Sequence, residues 1–200
     1  MSELEESFER TLRPQMIFQA THVWHLSEKR IASQIERLVE NLQEAEAKTH
    51  LQESHRVLKK VVEALAYGEP YLKEEDPITF KDLMEGLVEV FKCVFESFMK
   101  EEHTFTLGDH KIDDLNRQFY TSLKRKRGLP QGEFVPQAYS PITVLVRMVR
   151  NCQVHQRDKP IDHITRKKSF GNVYTISSVI ILSVYAYSEI LQAWLDTIEI

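Results

Sequence analysis

An Arg, an Asn and a His stand close together in the stretch Arg150-Asn151-Cys152-Gln153-Val154-His155. These residue types suit attack of an RNA 2′-hydroxyl on its own phosphodiester. That reaction needs a base for the hydroxyl proton, an acid for the departing 5′-oxygen and a cation beside the phosphorane. Imidazole changes charge near neutrality, so His155 can serve as base or acid. Arg150 keeps its charge and grips phosphate oxygens with a planar fork. Asn151 can orient the His or touch a ribose or phosphate. On a helix, with Arg150 at zero, Asn151 falls at about 100°, His155 at about 140° and Arg147 at about 60°, one polar arc. Arg147 is thereby a secondary phosphate contact. The scheme calls for no metal and no cofactor.

The surrounding charge favours an anionic partner. The chain carries a formal charge of −4, unevenly distributed. From Arg117 to Lys168 there are twelve Lys or Arg against Glu133, Asp158 and Asp162, a surplus of nine positive charges in an otherwise acidic protein. A localised basic segment of this kind is an electrostatic footprint for nucleic acid. It adds Lys124, Arg125, Lys126, Arg127, Arg157, Lys159, Arg166, Lys167 and Lys168 as RNA-binding candidates, with a solvated helix end as the plain alternative for the first four.

In shape, Arg150-Asn151 followed by His155 resembles the R-N-x-x-x-H signature of the HEPN superfamily. The resemblance covers about residues 140–156; the long N-terminal helices match by helical character alone. It implies an all-helical fold and a metal-independent endoribonuclease with Arg150, Asn151 and His155 as catalytic residues. Because the chain holds one copy of the motif, it also implies a homodimer in which two motif helices share one cleft. The products would be a 2′,3′-cyclic phosphate and a 5′-hydroxyl. The setting implied is prokaryotic defence or toxin–antitoxin biology, with a cognate antitoxin or regulatory protein as a further partner. Many members instead bind RNA or protein without cleaving. Toxin members often carry Tyr two residues after the His, where this chain has Arg157, which puts control by AMP transfer in doubt.

Other constellations are weaker. His22, His25 and Glu28 form a possible metal edge, but no second E-x-x-H completes a di-metal site, and surface histidines are the simpler reading. Arg157 and His163 are separated by Pro160, which breaks a helix. Cys152, on the apolar arc of its helix, reads as packing rather than as a nucleophile. Phe134 and Tyr139 either anchor a loop or stack on splayed bases. Phosphate-binding glycine motifs are missing from the sequence.

The elements that would position these residues read as helices throughout, a bundle of five or six, all-α and HEPN-like. Apolar spacing predicts helices over about 15–47, 49–67, 79–98 and 109–126. Gly68-Glu69-Pro70 ends the second, and Thr79 with Asp82 opens the third. Ser140-Pro141 starts the motif helix, which runs to about Gln156. A last helix, about 172–198, is apolar around much of its circumference and is expected at the bundle's centre. The whole chain reads as one domain, with a core over 78–200. Residues 1–70 either complete the bundle or extend as an arm or dimerisation element, and this acidic part also admits a third reading, a helical scaffold or adaptor.

Length and composition set the frame. Two hundred residues, 42% hydrophobic and 28% charged, suffice for one well-buried core. Two cysteines, Cys93 and Cys152, make no disulfide framework and suit a reducing cytoplasm. The polar N-terminus lacks a signal-peptide pattern. The stretch 169–188 is too rich in Ser, Thr, Asn and Tyr for a membrane span, so no membrane association is expected.

Overall fold

The computed structural model describes residues 13–66, 80–103, 112–129 and 176–198. Among them the regular structure is entirely helical: α1 (Arg13–Asn41), α2 (Ala45–Ala66), α3 (Phe80–Glu101), α4 (Ile112–Lys126) and α5 (Ile176–Ile198). The fold is all-α, a helical bundle. No described helix is long and apolar enough to cross a membrane.

The helices form for the reason their sequences suggest. In α4, Ile112, Leu115, Phe119 and Leu123 recur on one face and are all buried. Such a stripe must find a partner, and here it meets α3 and α5. Phe119 packs edge-on against Phe98 with ring centroids 4.7 Å apart. Phe98 does the same against Trp194 of α5 at 5.3 Å. All five helices feed one continuous core. The broadest contacts join α2 to α3 and α1 to α5.

One junction and one burial pattern depart from the sequence expectation. A single helix over 15–47 is predicted, but the chain breaks after Asn41 and restarts at Ala45. The break has no Gly or Pro. The Glu101 carboxylate, arriving from the end of α3, accepts the backbone N–H of Gln43 at 3.0 Å and of Glu44 at 3.0 Å. It thus satisfies donors that a new helix start leaves open. The last helix is also less uniformly buried than its composition suggests. Ile180, Val184, Tyr187, Leu191 and Trp194 are in the core, while Leu182 and Tyr185 face outward.

The C-terminal ends of α1, α3, α4 and α5 gather at one end of the bundle with the start of α2. Glu101 ties α3 to the α1–α2 junction. Lys126 pairs with Glu102, and Arg127 pairs with Asp196 at 2.8 Å. Clustered helix C-termini concentrate partial negative charge, which these cations offset. Gly128 closes α4 with φ at 64°. Its N–H bonds the Arg125 carbonyl at 3.2 Å and the next N–H, of Leu129, reaches the Lys124 carbonyl at 3.0 Å. This is the Schellman arrangement, in which glycine takes the left-handed position without steric cost.

Candidate functional site

Of the predicted site residues, the structure describes Lys124, Arg125, Lys126 and Arg127. Arg147, Arg150, Asn151, His155, Arg157, Lys159, Arg166, Lys167 and Lys168 lie outside the described residues, as do Phe134, Tyr139, Cys152 and His163.

The four consecutive cations cannot share a face, because each helical residue turns about 100° from the last. Taking Arg117 as zero, Lys124 falls at about 340°, Arg125 at about 80°, Lys126 at about 180° and Arg127 at about 280°. The core arc, through Leu115, Phe119 and Leu123, spans about 160° to 240°. Lys126 therefore starts toward the core and runs out along it. Its ammonium lies 5.8 Å from the centre of the Phe98 ring and pairs with Glu102. Arg127 turns toward α5, donating to the Asp196 carboxylate at 2.8 Å and to the Ala193 carbonyl at 3.2 Å. Lys124 and Arg125 both fall outside the core arc, and of the two Arg125 lines the open arc next to Arg117. Arg125 is exposed and makes no ion pair among the described residues.

That open arc forms a shallow depression of about 260 Å³, lined by Met99, Arg117, Gln118, Thr121, Ser122 and Arg125. Arg117 sits two turns before Arg125 on the same side of α4 and holds Asp114 at 2.7 Å. The pair is exposed, so it is weak and exchangeable. Thr121 spends its hydroxyl proton on the Arg117 carbonyl at 2.8 Å, leaving its oxygen as an acceptor. The Ser122 hydroxyl is shielded from solvent and has no hydrogen-bond partner among the described residues. None of the six lining residues is acidic. The surface can therefore bind an anion. It carries no nucleophile–base pair, and nothing in it supports catalysis. Sequence reading places Arg125 in the cationic cluster. The helical spacing 117, 121, 125 was the available signal for the rest.

Elsewhere the chemistry is structural. His22 and His25 are exposed, and Glu28 faces Lys59 at 3.4 Å. Among the described residues no group of three or more His, Cys, Asp or Glu is placed to hold a metal ion. Cys93 is buried; desolvation, with Glu89 close by, pushes its thiol up to about 12. It stays protonated at neutral pH and is a poor nucleophile. Burial likewise raises the Tyr187 phenol. Tyr187 meets the Ser54 hydroxyl at 2.7 Å, and Ser54 bonds the Leu51 carbonyl at 2.6 Å. With the serine proton on Leu51, Tyr187 is the donor. The Lys100 ammonium, bonded to Glu46, holds that carboxyl below its ordinary range.

Compared with known protein families, curated proteins and solved structures, the chain matches none.

Proposed function

We propose that this chain binds RNA through its basic segment and cleaves it as a metal-independent endoribonuclease of HEPN type, two copies sharing one site. The observation that carries this reading is Arg150, Asn151 and His155 at helical spacing inside a stretch that holds twelve of the chain's 26 Lys and Arg. An all-α bundle with an open cationic face on α4 is compatible with it. Arg150 clamps the scissile phosphate and stabilises charge as the phosphorane forms. His155 from one copy takes the 2′-hydroxyl proton, and His155 from the second protonates the leaving 5′-oxygen. Asn151 orients one of these groups, and Arg147 adds a phosphate contact. The setting is prokaryotic defence or a toxin–antitoxin pair, in which a protein partner restrains the activity.

The test is incubation of purified protein with structured RNA in EDTA. Cleavage leaving a 2′,3′-cyclic phosphate, abolished in His155→Ala with circular dichroism unchanged, supports the reading. No cleavage at any protein concentration sinks it.

A non-catalytic RNA-binding or adaptor role is the second reading, favoured by the engagement of Lys126 and Arg127 in ion pairs. RNA binding without cleavage selects the binding module. Absence of RNA binding selects the helical adaptor.

A further inference from the structure

The basic segment is not used uniformly. Cations that appear equivalent in sequence divide into those that brace helix ends and those that are free to meet a ligand. Lys126 and Arg127 belong to the first group, because Lys126 pairs with Glu102 just past the end of α3 and Arg127 pairs with Asp196 of α5. A phosphate could recruit them only by leaving Glu102 or Asp196 uncompensated beside clustered helix C-termini.

We propose that the RNA backbone is held on the open arc of α4, with Arg117 and Arg125 gripping separate phosphates of one strand across the depression between them. This deepens the RNA-binding reading and rests on it. Eight residues of helix separate the two arginines, about 12 Å along the axis, and Arg117 reaches back toward Asp114, away from Arg125, an arrangement that suits two phosphates rather than one. The surface between them, Gln118 and Thr121 with Met99 as its wall, offers an amide and an acceptor oxygen and no negative charge. Arg117 exchanges Asp114 for phosphate at little cost, since both partners are exposed. Arg125 gives up no ion pair among the described residues. Arginine suits the task because its fork meets phosphate oxygens two at a time.

Salt dependence of binding tests the assignment, because each neutralised phosphate adds roughly 0.7 to the slope of log affinity against log salt for a single strand. The probe is a fluorescein-labelled oligouridylate, titrated with the full chain by anisotropy across a salt series. Removing both contacts in Arg117→Ala/Arg125→Ala should weaken binding at least tenfold at low salt and flatten the slope by about 1.4. Arg125→Lys keeps the charge and should keep the slope. Lys126→Ala/Arg127→Ala should leave the slope unchanged and lower the melting temperature instead. Both arginines are exposed, so circular dichroism should match the wild type. A wild-type slope in the Arg117/Arg125 variant overturns this face while leaving RNA binding intact. Failure of the wild type to bind the probe at any salt removes both the face and the reading beneath it.

Discussion

Gln34 of α1 and Ser188 of α5 hold each other in a reciprocal buried pair. The Ser188 hydroxyl donates to Gln34 Oε1 at 3.0 Å, and the Gln34 amide donates to the Ser188 carbonyl at 3.2 Å. The second amide proton of Gln34 reaches Gln192 Oε1 at 3.1 Å. Gln192 passes a hydrogen bond to Asp196 at 2.7 Å, and Asp196 receives Arg127. A polar chain therefore runs from the middle of the α1–α5 seam to the cation that closes α4.

Breaking this pair from the Gln34 side should cost more than breaking it from the Ser188 side. Gln34→Ala orphans the Ser188 hydroxyl and leaves a void, a loss of about 2–3 kcal/mol. Ser188→Ala removes one bond and should cost about 1 kcal/mol. Urea unfolding of the singles and the double measures both. Since the residues share partners, the double variant should fall short of the sum. Strict additivity would show that the pair does not act as a unit.

Glu101 caps a helix that is not its own. Replacing it should loosen the α1–α2 junction without disturbing the core. Glu101→Ala removes both the acceptor and the charge at the N-terminus of α2 and should destabilise by about 1–2 kcal/mol. Glu101→Gln keeps one acceptor oxygen and should cost less. Thermal melts rank the two, and amide exchange at Gln43 and Glu44 should quicken in both. Unchanged exchange there would mean that the junction holds without the cap.

The same contact explains what the sequence hides. The apolar series in α4, at Ile112, Leu115, Phe119 and Leu123, is local information and was readable directly. The break at Leu42 to Glu44 was not, because its acceptor arrives from 58 residues away. The cluster Lys124 to Arg127 was legible as charge. Its partition depended on Glu102 and Asp196, which no local pattern links to it. Leu182 and Tyr185 belong to a helix that is apolar around much of its circumference, and only the assembled bundle shows that they face outward. The Arg150–His155 motif remains a statement of sequence, since its helix lies outside the described residues.

His55 should make stability depend on pH in a defined direction. It is half-buried against Trp24, ring centroids 6.3 Å apart, with Nε2 shielded and without a hydrogen bond among the described residues. Burial lowers its pKa below 6.5, and Glu28 opposes that shift less strongly. The unfolded chain then binds the proton more readily than the folded one. This residue's contribution is fully present above about pH 6.5 and is lost as pH falls through the lowered folded value. Between pH 8 and pH 5, wild type should lose more stability in urea titrations than His55→Leu. Equal losses would remove His55 as a source.

At Gly86 α3 approaches α2 closely: a Cβ there would stand 2.9 Å from Val61 Cγ2. Two effects compete in Gly86→Ala. Helix propensity favours alanine by about 1 kcal/mol. Overpacking a close helix contact costs about 1–3 kcal/mol. Val61 decides the sign: its branched side chain is restricted at χ1 on a helix and cannot swing aside as a Leu or Met would. Gly86→Ala should therefore destabilise by about 1 kcal/mol despite better propensity. Val61→Ala alone opens a void of two methyl groups and costs about 1–2 kcal/mol. Combined, the new methyl occupies part of that void, so the double variant should be more stable than the two single losses added together. Chemical denaturation of the four proteins completes the cycle. A stabilising Gly86→Ala would show that α2 and α3 separate at little cost, and that the close approach is not enforced by packing elsewhere in the bundle.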